Sequence, residues 1–123
     1  MDTVLPVLDY VHSKTLCLLN YTLSMGQCRG LAKAFEHFDR YINRVIFDNC
    51  GIDDAEFAAI IKGIKKLKDF KKIIYRYNVF HKESLAEMKG LIQKKIPNHL
   101  EEFRLENCKV EPAVTEELLK IIY

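Results

Sequence analysis

The stretch FKKIIYRYNVF, residues 70–80, decides the reading of this chain, because INRVIFDNCGI (42–52) and LEEFRLENCKV (100–110) repeat its pattern. In all three, apolar residues fall at the first, fourth, sixth and eleventh positions, and Asn or Cys falls at the ninth. Three matches spaced 28 and 30 residues apart are an internal repeat rather than a coincidence. A weaker fourth copy, SKTLCLLNYTL at 13–23, keeps Leu16, Leu18 and Leu23 but carries Ser13 and Tyr21 where an apolar residue and Asn or Cys are expected. Departure of that kind marks a terminal, capping copy.

Within each copy the centre alternates. Val45 and Phe47 fall on one face and Ile46 on the other, as a short strand requires. The same split gives Leu16/Leu18, Ile73/Tyr75 and Phe103/Leu105 as inward pairs, so strands stacked copy upon copy make a parallel sheet with a continuous core column. The ninth position falls where the chain turns away, and the turn's backbone groups need partners there. Asn78 can bridge neighbouring amides and carbonyls, with Cys50 and Cys108 as smaller, weaker donors. Each strand is followed by a segment of helical period. Asp53 with Glu56, and Ser24 with Gln27, have capping-box spacing, and Pro112 fits a first helical turn. Apolar residues then recur at helical intervals, as Phe57, Ile60, Ile61, Ile64 and Leu67, and again as Leu85, Met88, Leu91, Ile92 and Ile96. Lys62, Lys65, Lys66, Lys89 and Lys94 fall on the free faces.

These copies resemble leucine-rich repeats, and their period is similar to that of the ribonuclease-inhibitor-like class. The resemblance runs from about Ser13 to Ile122 and is specific for fold rather than function. It implies one α/β domain over residues 1–123: a right-handed solenoid of about four repeats, starting near 13, 42, 70 and 100. Strands would line its concave side and helices its convex side. Residues 1–12, with Val4, Leu5, Leu8 and Val11, are expected to form an N-terminal capping helix. The last stretch, Leu118, Leu119, Ile121, Ile122 and Tyr123, is apolar with no capping Gly. It reads as part of a longer solenoid, or as a surface covered by a further subunit or a second copy.

The chain of 123 residues is 49% hydrophobic, enough for a buried core, and its 19 basic and 17 acidic residues nearly cancel. That balance gives no general case for nucleic-acid binding. No apolar run is long enough to span a bilayer, and Asp2 and Asp9 interrupt any secretory signal. The four cysteines, Cys17, Cys28, Cys50 and Cys108, form no CxxC pair and read as free thiols in the cytoplasm.

Neither HExxH nor a glycine-rich phosphate loop is present, His12, His37, His81 and His99 are scattered, and no cofactor is expected. What carries information is the outward stripe of the strands: Thr15, Cys17 and Leu19; Arg44, Ile46 and Asp48; Lys72, Ile74 and Arg76; Glu102, Arg104 and Glu106. Arg44, Ile46, Asp48, Lys72, Ile74, Arg76, Tyr77 and Arg104 read as a mixed apolar and cationic strip able to anchor a protein partner. The expected function is a non-catalytic scaffold or adaptor in a larger assembly. The resemblance implies partners such as cytoskeletal or ciliary components, signalling sensors, or enzymes held inhibited. A regulator of a small GTPase is the rival, since a GTPase-activating protein for Ran shares this repeat class. A weaker rival is a nucleic-acid module using the six lysines from Lys62 to Lys72.

Overall fold

The computed structural model describes residues 11–37, 41–67, 70–92 and 101–122. Each copy of the pattern builds a five-residue strand and then a helix. The strands are β2 (Thr15–Leu19), β3 (Arg44–Asp48), β4 (Lys72–Arg76) and β6 (Glu102–Glu106); the helices are α1 (Met25–His37), α2 (Asp54–Ile64), α3 (Lys82–Ile92) and α4 (Pro112–Ile122). The four strands lie parallel and side by side in sequence order, forming one α/β layer pair. Their register is constant, with Thr15, Arg44, Lys72 and Glu102 in one row. Two short strands beyond the turns, β5 (Val79–Phe80) and β7 (Lys109–Val110), pair in parallel as a second sheet.

A fifth strand of the main sheet takes up the last two residues of the expected capping helix. Residues 1–10 lie outside the described residues, but Val11–His12 (β1) pairs antiparallel with β2, Val11 against Leu16 and His12 against Thr15. Ser13 and Lys14 both have positive φ, 52° and 63°, which is the backbone of a two-residue hairpin turn. Neither is the Gly or Asn that normally announces such a turn. Expectations resting on Ile96, Lys94, Tyr123 and the side chains of Leu119, Ile121 and Ile122 also fall outside the described residues.

The inward pairs of β2, β3 and β4 are fully buried against the helices. At their centre Phe57 of α2 stacks on Tyr75, with ring centroids 3.7 Å apart and planes 8° from parallel; Phe47 and Phe80 meet Phe57 at steeper angles. The Tyr75 hydroxyl donates to the Val79 carbonyl at 2.7 Å, so the buried phenol is satisfied within its own copy. α1 and α2 approach closely at Gly63, where a Cβ would lie 2.5 Å from the Cα of Ala32.

The ninth-position residues do what their chemistry predicts. Asn78 makes four hydrogen bonds: its Oδ1 accepts from the Cys50 and Ile52 amides, and its Nδ2 donates to the Phe47 and Arg76 carbonyls. The Cys50 thiol donates to Leu18 and Asp48 carbonyls, and the Cys108 thiol to Tyr75 and Glu106 carbonyls. Each thiol thus reproduces the donor half of what Asn78 does, reaching its own strand and the preceding one. The residue just before, in every copy, has a left-handed backbone: Asn20, Asn49, Tyr77 and Asn107, with φ between 53° and 56°.

Both capping boxes form. Asp53 accepts from the Glu56 amide at 2.8 Å while Glu56 accepts from the Asp53 amide at 2.9 Å, and Ser24 and Gln27 exchange the same pair of bonds. The start of α3 is capped differently. Asp54, the first residue of α2, accepts from the His81, Glu83 and Ser84 amides, and Ser84 Oγ donates back to the Asp54 carbonyl. One helix therefore supplies the N-terminal cap of the next.

Two outcomes follow for stability. Asn78→Ala leaves several buried backbone groups without a partner and should cost about 3 kcal/mol, whereas Asn78→Cys keeps the donor half and should cost less; urea unfolding separates them. Burial pushes the Asp54 carboxyl up, but the Ser84 bond and the His81, Ser84 and Glu83 amides outweigh it and hold it below its ordinary value of 3.8. Its contribution is therefore complete above pH 3.8 and is lost as pH falls through the lower folded value. Asp54→Ala should cost about 1–2 kcal/mol near neutrality, with the gap to wild type closing in acid, as read from unfolding at a series of pH values.

Candidate functional site

The strand register places twelve outward side chains on the sheet face opposite the helices, in three rows. The first is Thr15, Arg44, Lys72 and Glu102; the second Cys17, Ile46, Ile74 and Arg104; the third Leu19, Asp48, Arg76 and Glu106. Seven of the eight residues expected in the binding strip stand on this face: Arg44, Ile46, Asp48, Lys72, Ile74, Arg76 and Arg104. Tyr77 belongs to the turn after β4 instead. It borders a depression lined by Asn49, Gly51, Asn107 and Lys109 at the strands' C-terminal end.

The strip's charge differs from the cationic expectation. Lys72 Nζ is 3.0 Å from Glu102; Arg104 Nε is 2.8 Å from the same carboxylate and its Nη1 3.8 Å from Glu106. Arg76 bridges Glu106 at 3.1 Å and Asp48 at 3.6 Å. The six groups form one continuous chain of alternating charge across β3, β4 and β6. The Lys72 hydrogen bond is the largest influence holding the Glu102 carboxyl below the usual range, with the Arg104 charge adding to it. Arg44 donates to Asn43 Oδ1 at 3.0 Å. Three of the four cations in sequence, Lys72, Arg76 and Arg104, thus become internally matched pairs in space, because each has an acidic neighbour in its own strand or the next one, while Arg44 bonds a neutral amide.

This network also changes the status of Ile74. Although it points away from the core, it is only 4% exposed, flanked along its strand by the paired side chains of Lys72 and Arg76. Its neighbour Ile46 is half-buried. The apolar contact surface lies farther toward β2, where Cys17 and Ile46 adjoin Leu19, which is 57% exposed. Leu19 sits at an outward position that the alternation identifies, but alternation carries no signal for how open that position is.

The remaining chemistry is quiet. Burial pushes the thiols of Cys17, Cys28, Cys50 and Cys108 up, that of Cys28 to about 12, so all four are protonated at neutral pH. Among the described residues, no group of three or more His, Cys, Asp or Glu side chains is arranged to hold a metal ion, and no helix is long and apolar enough to cross a membrane. The helix lysines are tied to the neighbouring helix, Lys66 to Glu36, Lys65 to Glu87 at 2.6 Å and Lys89 to Glu117 at 3.2 Å. No protein-family model, curated protein or solved structure matches the chain.

Tyr77 is the outlier. It holds φ of 53°, a conformation that costs a bulky residue more than Asn, and Asn occupies the same place in the other three copies. The residue is 57% exposed. Tyr77→Asn should therefore raise stability by about 0.5–1 kcal/mol in chemical denaturation, a substitution of an exposed aromatic that improves the fold.

Proposed function

We propose that the chain is a right-handed solenoid of the leucine-rich-repeat type, ribonuclease-inhibitor-like class, and that it serves as a non-catalytic scaffold or adaptor in the cytoplasm, binding a protein partner on the concave sheet face. The observation that carries this reading is Tyr77, a large exposed aromatic kept in a backbone conformation that disfavours it. A side chain that weakens its own fold is accounted for by a contact made outside the chain.

The sheet face beside that turn supports the same reading. Leu19, Cys17 and Ile46 offer an apolar area next to a matched field of ion pairs, the combination of an anchoring patch and a polar surround found in protein interfaces. Matched pairs make a poor polyphosphate surface, since Lys72, Arg76 and Arg104 each already have a carboxylate beside them, and this favours a protein over a nucleic acid. Protonated thiols bonded to backbone carbonyls, as at Cys50 and Cys108, favour binding over nucleophilic catalysis. A cytoskeletal or ciliary assembly is the setting we favour.

Leu19→Arg and Tyr77→Asn both alter exposed side chains and leave the core alone. Affinity capture from native cells should return a partner set with wild type that is lost with the double variant, and the purified pair should bind about tenfold more weakly or worse. Retention of every partner at wild-type affinity would place the interface elsewhere. Stimulated GTP hydrolysis by a small GTPase would replace the scaffold reading with the regulatory one.

A further inference from the structure

The edge of the main sheet at β6 is unlike the rest of the molecule. Among the described residues β6 is the last strand of this sheet, and nothing pairs with its outer edge. Its inward residues Phe103 and Leu105 are half-buried, whereas Val45, Phe47, Ile73 and Tyr75, at the same positions in β3 and β4, are fully buried. Cys108 and Val110, beyond the turn, are half-buried as well. An open ladder of backbone groups thus runs beside a strip of incompletely covered apolar side chains, which is the arrangement that takes up another strand.

The outward side chains of β6 say which strand fits. They read Glu102, Arg104, Glu106, an alternation that is complementary to itself when reversed and offset. With two such strands antiparallel and fully overlapped, Glu102 faces Glu106 and Arg104 faces Arg104, and like charges opposite one another destabilise the pair. Sliding one strand by two residues places Glu102 opposite Arg104 and Arg104 opposite Glu102. It also brings the two Phe103 side chains together on the twofold axis, on the inward side where cover is lacking. The slide in the other direction runs the pairing into the left-handed turn at Asn107.

We propose that β6 is a self-association edge, at which two copies of this chain join β6 to β6 antiparallel in the register that sets Glu102 opposite Arg104. The inference is independent of the partner proposed for the concave face. Closure into a dimer follows from the twofold symmetry of the pairing, which uses the β6 edge of both copies at once. In the single chain Arg104 already bonds its own Glu102, so dimerisation exchanges partners rather than creating charge pairs. The charges accordingly select the register, while backbone bonds and Phe103 burial supply the affinity.

Sedimentation velocity over a range of micromolar concentrations tests this. Wild type should show a monomer–dimer equilibrium. Arg104→Glu and Glu102→Arg each place like charges opposite one another twice, by symmetry, and should weaken association about tenfold. The double variant Glu102→Arg with Arg104→Glu restores opposite charges and should regain it, an outcome that a general loss of folding does not produce. Circular dichroism and Tm of each variant report the fold. A wild-type chain that stays monomeric at every concentration overturns the proposal, as do single variants that associate like wild type or a folded double variant that does not recover.

Discussion

The structure depends on satisfying the backbone of a turn that has been pushed out of water. Where each strand ends, the chain bends through a left-handed residue and its next polar groups face the core, so something must bond them there. Asn78 meets four of these groups at once, reaching into the preceding copy for three of them, the Cys50 and Ile52 amides and the Phe47 carbonyl. That reach fixes the offset between copies. Once the turn of β4 is bonded to the end of β3, residue 72 has to lie beside residue 44, and every other pair in the sheet follows.

The same logic of one copy completing the next recurs in the helical layer. Asp54 begins α2 yet caps α3, and the lysine pairs join each helix to its neighbour. None of these bonds closes within a single copy. Removing one copy would therefore strip its neighbours of caps and turn partners as well as apolar cover, which is why stability must build up along the stack rather than reside in any one unit. The last described copy makes the point in reverse. With no following strand among the described residues, its inward residues stay half-buried although they obey the same sequence pattern as those before them.

Legibility in the sequence divides along this line. The pattern of apolar residues located all four long strands, their inward pairs, both capping boxes and the role of the ninth position, because those depend on spacing within a copy. What spacing does not carry is chemistry between copies. Asp54 lies 27 residues from the amide of His81 that it caps, and nothing in its own neighbourhood distinguishes it from Asp53, which caps locally. Taken strand by strand the strip is basic, whereas its pairing with Glu102, Glu106 and Asp48 acts across strands as well as along them. The β1 hairpin is not legible because its turn uses Ser13 and Lys14 in place of the Asn-Gly or Gly that such a turn favours. Ile74 has the right alternation for the surface and is nonetheless only 4% exposed.

Charge matching on the sheet face has a consequence for recognition. A strip of unpaired cations attracts any polyanion at long range, and its affinity collapses with salt. An internally matched field exerts little pull at a distance, so discrimination falls to short-range fit. The side chains available for that fit are those the ion pairs leave exposed, Leu19 and Tyr77, at the C-terminal end of the strands on either side of β3. A partner bound through them must bring apolar groups to two points separated by the width of one intervening strand. It must also bring polar groups able to accept the Arg76 and Asp48 pair between them without breaking it, because separating that pair on burial would leave a desolvated charge behind. The geometry therefore selects against highly charged surfaces and favours a partner of mixed apolar and neutral polar character.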